Sequence, residues 1–203
     1  GCGKTILAKE IATHLFGTKQ FLRLDMSELS GDGALNKLLG TAQGYVGYDD
    51  EALLSKIKDY PYSIILLDEV EKASKKVQKL FAEILENGNI RNSKGETLHF
   101  ENSTIIMTSN AEISTSIGFS SDSKIEENIL MRELQDRIEK TVKLEKIGSD
   151  AARKYIKRES TNLKLTKTEV DQIIENAKID TEGLRGVQKE LNKYKINKLL
   201  TKV

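Results

Sequence analysis

Three short stretches carry residue types that can act together on a phosphate. Gly1-Cys2-Gly3-Lys4-Thr5 precedes a helical run from Ile6 to Phe16. It reads as the end of the pattern G-x-x-x-x-G-K-[ST], in which backbone N–H groups wrap phosphate oxygens, the lysine reaches the β and γ phosphates and the threonine holds Mg²⁺. On that reading Gly1, Cys2, Gly3, Lys4, Thr5 and Ile6 bind ATP, and Thr5 also serves the metal. The first glycine of the pattern would precede Gly1, and the same residues also suit a glycine-rich turn before a helix. Asp68 and Glu69 follow the apolar run Ser63 to Leu67, at the strand end where open α/β sheets bind their ligands. One carboxylate there can hold Mg²⁺ through water, and its neighbour can orient and deprotonate the attacking water. Asp68 is therefore assigned to the metal and Glu69 to the base, although a solvated strand end would look similar. A second apolar strand, Thr104 to Met107, ends in Thr108-Ser109-Asn110. That order lets Asn110 bond the attacking water or the γ-phosphate, while the same triplet also suits a plain loop start.

The elements that position these groups follow from the pattern. Up to about residue 145, helix-like stretches alternate with short apolar, β-branched runs, as in an α/β domain on a mostly parallel sheet. Candidate strands are Phe21 to Leu24, Ser63 to Leu67, Thr104 to Met107 and Thr141 to Leu144. Beyond about residue 148 the chain is lysine-rich and helical in period, with one short extended candidate at Leu163-Lys164-Leu165. The expected organisation is a nucleotide-binding domain over 1–147 and a small, mostly α-helical domain over 148–203. At their boundary Gly148 is followed by Ser149 and Asp150, both good helix caps.

Composition narrows the function classes. The 203 residues are 38% hydrophobic, enough for a real core, and the longest apolar run is far too short to cross a bilayer. A net charge of +1 with interspersed signs provides no footprint for nucleic acid or an anionic membrane. One cysteine and two distant histidines, His14 and His99, argue against a disulfide or a zinc site. A reducing compartment is expected, and the excess of lysine over arginine suits an AT-rich genome. With no tryptophan and only 5% aromatics, the chain still places Tyr45 between glycines in Gly44-Tyr45-Val46-Gly47, where a packed regular element is not expected.

These motifs together make the resemblance specific. Pro61-Tyr62-Ser63-Ile64-Ile65-Leu66-Leu67-Asp68-Glu69-Val70-Glu71-Lys72-Ala73, Asp25-Met26-Ser27-Glu28 and Gly44-Tyr45-Val46-Gly47-Tyr48 resemble the second ATPase module of the Clp family of AAA+ unfoldases. The resemblance runs from Gly1 to about Val142 and continues more loosely to the end. It implies a P-loop NTPase sheet with helices on both faces, a helical lid, and a homo-hexameric ring that uses ATP and Mg²⁺ to thread unfolded or tagged proteins. In that family the Gly-Tyr-Val-Gly loop faces the pore, so Gly44, Tyr45, Val46 and Gly47 would grip substrate. The segment from Gly88 to Phe100, with its turn at Ser93 to Glu96, would make a second, weaker pore loop. Asp136-Arg137-Ile138-Glu139 resembles the family's Asn-Arg-Ile-Asp, which implies that Arg137 reaches the neighbouring subunit's site as an arginine finger. Gly183-Leu184-Arg185 resembles the Gly-Ala-Arg whose arginine touches the γ-phosphate, which adds Arg185 to the nucleotide contacts. Ile117-Gly118-Phe119 resembles the tip with which peptidase-coupled members dock on a Clp-type serine peptidase. That favours the peptidase-coupled branch over stand-alone disaggregases, while the intact Lys4, Asp68, Glu69, Asn110 and Arg137 argue against a non-hydrolysing scaffold subunit. The start within the phosphate loop implies a piece of a longer protein, and the composition suits the cytoplasm or an organelle stroma or matrix, a plastid included.

Overall fold

The structure is a computed structural model that describes residues 3–16, 21–48, 50–110, 130–160 and 165–200. These fall into two compact units, Ala8–Thr141 and Gly1–Leu7 with Val142–Val203.

In the larger unit, three strands form a parallel sheet in the order β1 (Phe21–Asp25), β2 (Ile64–Asp68), β5 (Thr104–Met107). β2 lies in the middle, and its Ile64, Ile65, Leu66 and Leu67 are wholly buried. An uninterrupted apolar run is what a parallel strand covered on both faces requires. Pairing of Leu67 with Leu24 and Met107 brings all three strand ends to one edge. Helix α1 (Lys4–Phe16) enters this unit with Ala8 and Ala12 buried, and α2 spans Ala34–Leu39. α3 (Lys75–Asn87) is capped by the Ser74 side chain and buries Val77, Leu80, Phe81 and Ile84. Those positions recur every three or four residues, so they form one helical face. Strands β3 (Asn89–Arg91) and β4 (Thr97–His99) pair antiparallel, and the short α4 (Arg132–Gln135) is pinned by the fully buried Leu134.

Thr141 to Leu144, expected as a strand, is not one. Val142 is 64% exposed, so the alternating pattern has no sheet neighbour among the described residues to bury its apolar side. Leu163 and Lys164 of the other short candidate lie outside the described residues.

The smaller unit is built from α5 (Ser149–Glu159), α6 (Lys167–Asn176), α7 (Ile179–Glu182) and α8 (Leu184–Leu200). Gly148, not Ser149 or Asp150, holds the cap position of α5, because the helix starts one residue earlier than the capping chemistry suggests. Ala152, Ile156, Ile173, Ala177, Leu184, Val187 and Leu191 form the core, with Ile6 packed against it. No helix among the described residues is long and apolar enough to cross a membrane.

α6 opens with a capping box in which Thr166 and Glu169 bond each other's backbone N–H. Glu169 also accepts the Tyr194 hydroxyl of α8. That bond first, and the Thr166 backbone bond next, hold its carboxyl down at about 2. A depressed carboxyl stabilises the fold fully above its ordinary value of 4.5, and the contribution is lost as pH falls through the folded value. The thermal midpoint of the parent should therefore exceed that of Tyr194→Phe by most above pH 4.5, with the gap closing toward about 2. Circular dichroism melts at several pH values check this, and a gap that does not change with pH would refute it.

Candidate nucleotide and polypeptide site

The start of α1 and the start of α8 meet within the smaller unit. Gly3 has φ +85, where a side chain is strained, and a Cβ there would lie 3.1 Å from Leu184 Cδ2, so the backbone favours glycine. Its carbonyl accepts the Leu7 N–H at 2.9 Å, which makes it the cap of α1. The first-turn N–H groups of a helix have no acceptor within the helix and point toward whatever lies before it. Lys4, Thr5 and Ile6 supply that first turn. This is a fold suited to phosphate, and Arg185, exposed on the first turn of α8, lies next in sequence to the residue that contacts Gly3. Gly1 and Cys2 are outside the described residues.

In the larger unit the two strand ends come together as a hydrogen-bonded cluster. Asp68 is buried, and its Oδ2 accepts Arg23 Nη2 at 2.6 Å while its Oδ1 accepts the Thr108 hydroxyl at 2.5 Å. Glu69 adopts the left-handed conformation, φ 58 and ψ 51, at a cost of about 1–3 kcal/mol for a residue that is not glycine. Such strain persists only where the surroundings impose it. Here the Thr108 hydroxyl accepts the Glu69 N–H at 3.0 Å and the Thr108 carbonyl accepts the Val70 N–H at 3.0 Å. The turn throws the Glu69 carboxylate out of the sheet, to 30% side-chain exposure. There its Oε1 lies 3.4 Å from the Asn110 amide nitrogen and its Oε2 2.5 Å from Lys72 Nζ. The hydrogen bond from Lys72 and the attraction of Glu69 raise the lysine's pKa above its ordinary 10.5. A carboxylate held between an amide and a cation, open to solvent, can take a proton from a water that Asn110 also touches.

The structure thus places Asp68, Glu69 and Asn110 in one cluster. Three of their neighbours were given no role by the motifs. Arg23 lies outside them, Thr108 and Glu71 stand inside the quoted stretches without an assignment, and the pairing of β1, β2 and β5 brings all three to the cluster. Arg137 is held in another way. It follows α4 between the anchors Leu134 and Ile138, is exposed, and pairs with Glu86 of α3. His14 and His99 are exposed, on α1 and β4.

Gly44 and Gly47 both have φ +90, a conformation that side chains rarely adopt. Successive turns join Tyr45 to Ala42, Tyr48 to Tyr45 and Asp50 to Gly47. They push Tyr45 to 71% and Val46 to 102% exposure. Two adjacent large side chains, one aromatic, are thus held out into solvent at the tip of the loop. The base of this loop rests on the tip of the β3–β4 hairpin. Ser93 donates its N–H to Leu39 O at 3.0 Å and its hydroxyl to Gly40 O at 2.5 Å, and Lys94 Nζ lies 5.0 Å from the Tyr48 ring centre. The expected second loop is therefore a hairpin tip tied to the first. Ile117, Gly118 and Phe119 lie outside the described residues.

Comparison with known proteins gives the family and the fold. Residues 1–148 match the family described as AAA domain (Cdc48 subfamily). Over 140 residues, 66% of this chain, the sequence is 48% identical to the ATP-dependent Clp protease ATP-binding subunit ClpE of Bacillus subtilis. Over 138 residues it is 44% identical to the ClpL subunit of Staphylococcus aureus. The matches cover 20% and 19% of those relatives, so the chain spans about a fifth of their length. Among solved structures, a closed-state reconstruction of Hsp104 with ATPγS and FITC casein matches 99% of this chain and 39% of its own, with TM-score 0.79 and 33% identity. The extended conformation of the Saccharomyces cerevisiae Hsp104:casein complex matches 98% of this chain and 39% of its own, with TM-score 0.78.

Proposed function

Because the chain belongs to the AAA domain family (Cdc48 subfamily), as a module of the Clp type, we propose that it is the motor of an ATP-driven protein unfoldase. It works as a homo-hexameric ring that threads unfolded or tagged polypeptides through its pore. Residues 1–147 form the nucleotide-binding domain and 148–203 the helical lid.

In this reading the first turn of α1, Lys4 and Arg185 bind the phosphates of ATP. Thr5 and Asp68 would hold Mg²⁺, Asp68 through water because its two carboxylate oxygens already accept hydrogen bonds from Arg23 and Thr108. The metal neutralises charge on the phosphates when bound. Asn110 orients the attacking water, Glu69 takes its proton, and Arg137 of the neighbouring subunit meets the charge that develops on the transferred phosphoryl group.

The observation that carries the polypeptide-threading part is the display of Tyr45 and Val46 between two glycines at φ +90. An aromatic tip makes apolar contact with many side chains at small rotamer cost, and the glycines let it swing. The ClpE and ClpL names of the relatives support a Clp-type serine peptidase as the ring's partner, with Ile117, Gly118 and Phe119 as the docking tip. The Hsp104 likeness supports a stand-alone disaggregase as the second reading. A reducing compartment, cytoplasm or organelle stroma or matrix, suits either.

One assay tests both. The full-length protein is given ATP and a tagged fluorescent substrate, with and without a Clp-type peptidase ring. Tyr45→Ala is expected to keep ATP turnover within about threefold and to slow unfolding at least about tenfold, the scale of losing a buried aromatic contact. Unfolding at the parent's rate in this variant would remove Tyr45 from the mechanism. Substrate destroyed only when the peptidase is present marks the protease motor, and substrate that refolds regardless marks the disaggregase.

A further inference from the structure

Two buried polar side chains beside the Asp68-Glu69 turn take no direct part in the chemistry described above. Thr108 is 5% exposed and Glu71 is 4% exposed. Burying an ionisable carboxyl is costly unless its oxygens are bonded. Glu71 Oε1 accepts the Asn110 backbone N–H at 3.0 Å, while Oε2 has no hydrogen-bond partner among the described residues. Packing alone would be better served by an apolar side chain at this position.

The two groups belong to one lacing between the segment after β2 and the segment after β5. Leu67 O accepts the Thr108 N–H at 2.9 Å, and Asp68 Oδ1 accepts the Thr108 hydroxyl at 2.5 Å. The Glu69 N–H goes to Thr108 Oγ1 and the Val70 N–H to Thr108 O, both at 3.0 Å. Glu71 then closes on Asn110. Residues 67 to 71 therefore each bond to Thr108 or Asn110. The Thr108 hydroxyl is used from both sides, since its proton goes to the Asp68 carboxylate and a lone pair takes the Glu69 N–H. That second bond holds Glu69 in its left-handed conformation, and the Glu71 bond fixes the backbone from which Asn110 reaches Glu69.

We propose that Thr108 and Glu71 are positioning residues for ATP hydrolysis, Thr108 setting the mutual orientation of Asp68 and Glu69, and Glu71 holding Asn110 in reach of Glu69. This rests on the reading of Glu69 and Asn110 as the pair that handles the attacking water. Only a hydroxyl on Cβ can serve both Asp68 and Glu69, so serine suffices at 108 and the near-isosteric valine does not. At 71 a side-chain carbonyl oxygen is the required feature, which glutamine keeps and alanine loses.

The test measures kcat, KM for ATP and equilibrium nucleotide binding in the assembled full-length protein, with Glu69→Gln as the reference. A displacement of about 1 Å at a reacting group can cost about 10²-fold in rate. Thr108→Val and Glu71→Ala are accordingly expected to lower kcat by about 10- to 100-fold with KM and nucleotide binding within about threefold of the parent. Thr108→Ser and Glu71→Gln should restore kcat to within about threefold. Parent-like turnover in Thr108→Val and Glu71→Ala beside an inactive Glu69→Gln overturns the proposal. So does Thr108→Ser as slow as Thr108→Val, or a loss of nucleotide binding that accounts for the loss of rate, since either marks a purely structural role. Parent-like turnover in Glu69→Gln itself removes the water-activating pair and the proposal with it, and that control alone identifies this outcome.

Discussion

Arg137→Ala is expected to lower ATP turnover by about 10³- to 10⁵-fold, or about 4–7 kcal/mol of transition-state stabilisation, while ATP binding persists. The size of the effect contrasts with how little the side chain does within its own chain. Its guanidinium is exposed and pairs with the exposed Glu86, and surface pairs of this kind contribute about 0–1 kcal/mol to stability. The backbone on either side is anchored, however, by Leu134 and Ile138 in the core. A charged group on a rigid corner, with almost no stabilising duty at home, is suited to act on a neighbour. The thermal midpoint should consequently change little. The decisive version of the experiment mixes Arg137→Ala subunits with Glu69→Gln subunits. Each variant alone is expected to be inactive, whereas in a mixed assembly of the proposed ring an intact Arg137 from one subunit would meet an intact Glu69 in the next and turnover should reappear. Rings that stay inactive at every mixing ratio would show that the arginine does not act across the subunit boundary.

Glu69→Gln is the second large effect, with kcat reduced by about 10²- to 10⁴-fold, the range for removing a general base. Glutamine preserves the size of the side chain and an oxygen for the Asn110 amide at 3.4 Å, so the turn and the nucleotide contacts should survive. What it cannot do is accept the water's proton or pair with the Lys72 ammonium at 2.5 Å. The variant should therefore bind ATP as the parent does and hold it unhydrolysed, which single-turnover measurement with labelled ATP resolves. A rate within a few-fold of the parent would remove Glu69 as the base and return the search to the other carboxylates at the sheet edge, beginning with Asp25, which pairs with Asp68 in the β1–β2 register.

The proposed catalytic groups differed in how legible they were. Asp68, Glu69 and Asn110 could be picked out because each ends an apolar run, and an apolar run bounded by polar residues marks a buried strand and its exit. Thr141 to Leu144 carried a weaker form of the same signal and misled, since alternation describes a strand only when another strand is present to pair with it. Gly44 and Gly47 announced an irregular, exposed loop around Tyr45, and both do adopt a positive φ. The capping box at Thr166 and Glu169 is equally local, although it lies within a stretch whose lysine-rich composition hides it.

What the amino-acid sequence determined by itself was therefore short-range: which residues end strands, where glycine frees the backbone, and which runs must be buried. These depend on the covalent geometry of a residue and its near neighbours. The tertiary structure alone decided that Thr108 serves Asp68 and Glu69, that Glu71 holds Asn110, that Arg23 neutralises Asp68, and that Ser93 ties the hairpin to the base of the Tyr45 loop. Those partners lie 40, 39, 39, 45 and 53 residues apart for Thr108–Asp68, Thr108–Glu69, Glu71–Asn110, Arg23–Asp68 and Ser93–Gly40. Their meeting is set by strand register and packing, in which a slip of one residue would turn every side chain to the opposite face.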